Sequence, residues 1–194
     1  MDAVLTSPKT AGNDEPAWVG DVLHFWFAEL SEQQWWRKDE MVDARIRERF
    51  LRLHEDIVAQ HATGAVAPRS ALATVIVLDQ FPRNMFRGDA RMYATDPLAR
   101  RIARAAIDAG LDRDMDKQER LFLYMPLQHS EDAADQRLGV DLTAALGDDA
   151  LTRFALAHQH IVDRFGRFPH RNAILGRVST DEELASLQEP MGSF

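Results

Sequence analysis

Residues 68–88 read PRSALATVIVLDQFPRNMFRG, and whether 68–81 form a strand or a helix decides the fold class. Four consecutive β-branched residues, Thr74 to Val77, suit a buried strand. Pro68 suits the first position of a helix, where a missing N–H costs nothing, and the run is apolar almost all round. Its neighbours tip the balance, because every adjoining segment carries helical periodicity. The stretch is therefore read as a central buried helix that Phe81-Pro82 turns into a corner.

The helical periodicity is explicit on both sides. In 16–30, Val19, Val22, Leu23, Trp26 and Leu30 share a face behind Pro16. In 39–64, Val42, Ile46, Phe50, Leu53 and Ile57 form a stripe, acids open the first turn, and Gly64 follows the end. Segment 95–110 has Asp96 as N-cap before Pro97, with Leu98, Ile102, Ala105 and Ala109 on one face and Gly110 as terminator. Segment 116–147 divides at Pro126, which lacks an N–H, and Ser130 is placed to cap the second half. Phe154, His158, Ile161 and Phe165 line 148–166. Ser179 with Glu182 and Thr180 with Glu183 form overlapping capping boxes. Seven or eight helices with short connections predict an all-α fold of stacked antiparallel helical hairpins.

The totals narrow the function classes. A chain of 194 residues fits one domain over 16–194, with residues 1–15 as a disordered tail. There is no cysteine, which excludes disulfides and thiol catalysis. A net charge of −8 opposes nucleic-acid binding, since affinity for phosphate backbones comes from Lys and Arg. The run ALATVIVL at 71–78 is too short to cross a bilayer, and the N-terminus lacks a leader pattern. The expectation is a cytoplasmic protein with no membrane contact. Twenty of the basic residues are Arg and three are Lys, and Arg alone offers two-pronged recognition of carboxylate or phosphate.

Several strings occur together and in order: VLHFWF, WWRKDEMVDARIRERF, VLDQFPRNMFRG, LFLYMPLQHSEDAADQ, HQHIVDRFGRFPHRNAILGR and STDEE. Over residues 17–188 the chain resembles the bacterial and fungal domain-of-unknown-function family 924. The resemblance implies an all-helical fold similar to tetratricopeptide (TPR) arrays, without their consensus. It implies no reaction and no site residues.

Two corners repeat one composition: Phe81-Pro82-Arg83-Asn84 and Phe168-Pro169-His170-Arg171-Asn172. Around the first stand Asp79, Gln80 and Arg87. Around the second, Arg164, Arg167, Arg171 and Arg177 give +4 with no acid across 164–177. The plainer reading makes these helix ends, with arginines on terminal carbonyls and Asp79 or Glu131 pairing an Arg. The functional reading brings both corners to one hollow, where Arg83, Arg87, Arg167 and Arg171 clamp an anion while Asp79, Gln80, Asn84 and Asn172 orient it.

Histidine supplies the acid–base candidates. His158 and His160 point about 200° apart on a helix and cannot share one ion, and His158 reads as a core residue. His129 follows Pro126 and precedes Glu131; placed near a helix N-terminus, its lowered pKa would suit a general base, with His170 as a second acid–base group. His129, Glu131, Asp135 and His170 show no two-His helical signature, so neither metal nor other cofactor is expected. Ser130 lacks a nucleophile elbow. Trp18, Trp26, Trp35 and Trp36 are expected to pack the N-terminal helices or cover a groove, with Trp35-Trp36 partly exposed where a partner could cover them. The arginines at 45, 47, 49 and 52 read as a solvated face pairing with Glu48, Glu55 and Asp56.

Two function classes emerge. The leading one is a polar cavity for a small anionic ligand or acidic peptide, with His129, His170 and Glu131 as catalytic candidates. The alternative is a TPR-like module without chemistry that receives another protein or a second copy as a homodimer.

Overall fold

The computed structural model describes residues 15–60, 67–190 and 192, so the tail at 1–14 and the terminator Gly64 lie outside the described residues. Among these the chain is all-α with no strand. The deciding stretch is helical throughout. α4 (Pro68–Val75) runs into a π turn (Ile76–Gln80) and on into α5 (Phe81–Met85). Residues 71–82 are all buried, which is why no polar face interrupts the sequence there.

The π turn corrects the expected corner at Phe81-Pro82. The Phe81 N–H bonds the Ile76 carbonyl five residues back, and the helix continues through Pro82. Pro82 has no N–H to offer the Leu78 carbonyl. The Thr95 hydroxyl donates to that carbonyl at 2.6 Å instead. Asp79 and Gln80 lie in this turn and are both buried.

Before it, α1 (Ala17–His24) ends in a second π turn (Phe25–Glu29), α2 (Glu32–Trp36) is closed by a Ser31–Gln34 capping box, and α3 (Glu40–Ala59) is capped by Asp39. Val42, Ile46, Phe50 and Ile57 are buried as the stripe required. The arginines of α3 are less solvated than expected: Arg45 and Arg49 grip Glu29 at 2.6 and 2.8 Å, and Arg47 donates to the Met85 carbonyl. Arg52 alone keeps to its own helix, near Glu55 and Asp56.

A 3-10 turn (Ala90–Tyr93) leads to α6 (Asp96–Asp108), followed by α7 (Lys117–Gln128), α8 (Ala133–Ala144) and α9 (Asp149–Phe165). A second 3-10 turn (Pro169–Arg171) and α10 (Asp181–Ser186) follow. On α6 the buried face is Ala99, Ile102, Ala103 and Ala106, one position round from expectation. Alanines on both sides of that helix give the periodicity no preference. On α9 Phe154 is exposed, and Ala155, His158, Ile161 and Val162 face inward. Gly166 ends α9 at φ 67°, the left-handed region where a side chain is strained. Thr180 with Glu183, not Ser179, forms the capping box of α10.

Three corrections bear on the site. α7 passes through Pro126 and ends at Gln128, because a proline in the last turn removes only its own N–H while the His129 N–H still reaches the Met125 carbonyl. His129 is thus a helix C-cap, not a residue at a helix N-terminus. α8 is capped by Asp132, which leaves the Ser130 hydroxyl for Asp135. α6 is preceded by Thr95 as N-cap, which frees the Asp96 carboxylate for tertiary contacts.

The main core joins α1, α3, α4, the π turns, α6 and α7 around Trp26, Phe25, Phe81 and Phe122. A smaller cluster of Ile161, Val162 and Phe168 lies under the second Phe-Pro segment. No described helix is long and apolar enough to cross a membrane.

Candidate functional site

Asp79 is fully buried at the π turn, and its oxygens accept from His129 Nδ1 at 2.8 and 3.0 Å. Gln80 Nε2 adds a bond at 2.5 Å, and Arg83 Nη1 lies 3.4 Å away. Burial alone would raise the Asp79 carboxyl. The charge of Arg83, that of His129 once acid protonates it, and the hydrogen bonds from His129 and Gln80 outweigh burial and hold it at about 2. His129 moves the other way from its ordinary 6.5. Burial and the Arg83 charge push it down, and the Asp79 charge and hydrogen bond recover only part. A neutral imidazole donating Nδ1–H to Asp79 has Nε2 as its remaining acceptor. Among the described residues no hydrogen bond engages that nitrogen.

Arg83 connects this pair to α6. It grips Asp96 in two-pronged fashion at 2.8 and 2.9 Å and also donates to its own helix at the Asp79 carbonyl. Burial opposes the Arg83 charge, but Asp79 and Asp96 more than offset it and raise its pKa. Arg171 approaches the same Asp96 at 3.4 Å and donates to the His129 carbonyl at 3.0 Å. Its guanidinium lies between the rings of Phe168 and Tyr93, at 4.5 and 4.6 Å from their centroids. Two guanidinia thus share one carboxylate. Burial and Arg83 lower the Arg171 pKa despite Asp96, and its Nε is buried with no hydrogen-bond partner among the described residues.

Of these groups His129, Asp96, Arg171 and Tyr93 border a cleft of about 280 Å³, whereas the expected lining residues Asp79, Gln80 and Arg83 do not line it. Its polar wall is Asp96, Arg100, His129, Ser130, Glu131 and Arg171, and its apolar wall includes Tyr93, Pro97, Pro126 and Leu175. The two Phe-Pro segments, 87 residues apart, are linked through Asp96, which accepts from Arg83 and Arg171, but only the second contributes a residue, Arg171, to the cleft wall.

Only part of the expected constellation belongs to this cleft. Asn84 and Arg87 turn to α3, where both bond Asp43, at 2.7 and 2.8 Å. Arg167 and Asn172 are committed to Glu183: Arg167 at 2.6 and 2.9 Å, and Asn172 at 3.3 Å, with a further bond to Ser179. Glu131 takes Arg177 at 2.8 and 2.9 Å and the Phe168 N–H at 2.8 Å, so it anchors the second segment and has no oxygen spare for a base role. His170 does not line the cleft. It packs 5.4 Å from the Phe168 ring, and burial with the Arg171 charge takes its pKa down to about 4. Arg164 pairs with Glu182 and Glu189, so each arginine of 164–177 has an acid in reach. The plainer reading therefore holds for most of them, while the room beside His129 and Arg171 keeps the functional one alive.

The sequence did not point to Tyr93, Thr95, Asp96 or Arg100. Asp96 before Pro97 reads as a cap, and a threonine two residues before a proline carries no sign that its hydroxyl serves a carbonyl in another helix.

No curated protein matches the chain. A solved structure of a protein of unknown function from Agrobacterium tumefaciens, ATU0120, is 41% identical and superimposes with a TM-score of 0.84, covering 90% of this chain and 98% of that one. Residues 22–191 match the family described as bacterial protein of unknown function, DUF924, a span that includes both Phe-Pro segments and the cleft. The chain is a member of the DUF924 family.

Proposed function

We propose that the cleft binds a small molecule bearing an oxyanion, with Arg171 supplying the charge and His129 acting as a general base on the bound molecule. One observation carries this reading: a fully buried carboxylate fixes one ring nitrogen of a histidine that lines a cleft beside an under-compensated arginine. A carboxylate on Nδ1 selects the tautomer and orients the ring, leaving Nε2 to take a proton. The lowered pKa keeps that nitrogen unprotonated at neutral pH. Tyr93, Pro97 and Leu175 favour a ligand with an apolar body.

Consecutive packing of α7 on α8 and α8 on α9 supports the hairpin stacking that makes the architecture TPR-like. In that arrangement the cleft lies between α6, α7 and the segment after α9.

A thermal-shift screen of carboxylates and phosphates, with and without Arg171→Gln, tests the assignment. A cleft ligand at 100 times its Kd adds about 2.7 kcal/mol to wild-type stability. Arg171→Gln should fold and lose that increment. Equal stabilisation of wild type and variant by every anion, or of neither, overturns it.

A further inference from the structure

The cleft does not close at Arg100. Pro97 and Arg100 line both it and a second, more open groove of about 650 Å³ that continues over Arg101, Arg104 and Ala105. The two hollows form one path along α6, because these positions recur at helical spacing on one face. α6 therefore measures the path. Arg171 meets the helix at Asp96, its first residue. Arg101 and Arg104 stand five and eight residues later, which places them about 7.5 and about 12 Å further along the axis at 1.5 Å per residue.

The far groove is lined by three arginines, Arg100, Arg101 and Arg104, and three aspartates, Asp108, Asp132 and Asp135, so its formal charges balance and what matters is which of them are engaged. Asp135 is buried and spends both oxygens: one accepts from Arg100 at 2.9 Å and from the Ser130 hydroxyl at 2.7 Å, the other from Arg104 at 2.7 Å. One carboxylate thus serves two guanidinia. Asp132 is engaged by the Ala134 and Asp135 amides at the start of α8. Asp108 stands at the last residue of α6, and Arg101 makes no ion pair among the described residues.

We infer that the ligand of this site is an elongated dianion. One oxyanion sits at Arg171 beside His129 and the other over Arg101 and Arg104, whose positions on α6 lie about 8–12 Å along the helix axis from Asp96. An apolar link crosses Pro97 and Ala105. This rests on the cleft reading above and specifies its substrate class. A second anchor on a tethered ligand acts at high effective concentration, so it multiplies affinity.

Three acids serve as probes in thermal-shift and calorimetric titrations of the full chain. Octanedioate spans the interval when extended, butanedioate is too short, and octanoate has one charge. The expected result is an affinity for octanedioate about tenfold or more above both others, weakening with salt as exposed charges are screened. Arg101→Ser should remove the advantage of octanedioate over octanoate. The bisphosphate of hexane-1,6-diol, compared with octanedioate, tells phosphate ends from carboxylate ends. If octanoate and octanedioate bind alike, or Arg101→Ser leaves their ratio as it was, the dianion is wrong while Arg171-dependent binding of octanoate still supports the cleft. If no probe binds, the cleft reading falls and the dianion with it.

Discussion

Asp79 and His129 meet at 2.8 Å across fifty residues of chain, one at a π turn and the other at the C-cap of α7. A π turn inserts one residue per turn and re-aims the side chains that follow, a device that recurs at functional sites. Here it directs a carboxylate into the core, where only an ion-pair and hydrogen-bond network tolerates it.

The carboxylate should govern the tautomer and basicity of His129. Its charge raises the imidazole pKa against burial, so Asp79→Asn should drop that pKa further below 6.5 and loosen the preference for the Nδ1–H form. Nitrogen NMR shifts of His129 across a pH titration read both. A wild-type pKa at or above 6.5 would contradict the assignment.

Acid should destabilise the protein in two windows. His158 is held down at about 3 and His170 at about 4, chiefly by burial, against about 6.5 unfolded. Between those values the unfolded chain binds protons that the folded one refuses. Stability is therefore full above pH 6.5 and falls as pH drops, by at most about 1.4 kcal/mol per pH unit for each group. Asp79, depressed to about 2, adds stability above its unfolded value near 4 that is lost as pH falls through about 2. Urea unfolding of His158→Gln should show a shallower slope between pH 3 and 6.5 than wild type.

Arg83 and Arg171 share Asp96 yet should differ in stability cost. Arg83→Gln leaves Asp96 without its two-pronged partner and Asp79 without its cation, which should cost about 3–5 kcal/mol. Arg171→Gln leaves Asp96 held by Arg83 and removes a charge that burial already opposes. Its cost should be about 1 kcal/mol. Equal losses in chemical denaturation would mean that Arg171 is a structural pillar.

Thr95→Val deletes the hydroxyl that serves the Leu78 carbonyl, the acceptor orphaned by Pro82. A buried acceptor without a donor costs about 1–3 kcal/mol. The restoring variant Pro82→Ala supplies an N–H to the helix, so the double variant should recover part of the loss. No recovery would place the carbonyl's partner elsewhere.

The sequence alone determined the helical class, the stripes of α1 and α3, and the family. These follow from local periodicity, caps and the order of strings, none of which needs a distant contact. It also singled out His129, Arg83 and Arg171, because unusual local composition marks them. It could not separate those three from Asn84, Arg87, Arg167 and Asn172, since all lie beside the same kind of Phe-Pro segment. Only tertiary structure decides which acid each one meets: Asp43 on α3 and Glu183 on α10 claim four of them, and Asp96 at the cleft holds Arg83 and Arg171. A charge's partner is set by proximity in space, and a backbone that runs through Pro82 and Pro126 instead of breaking there moves every such partner.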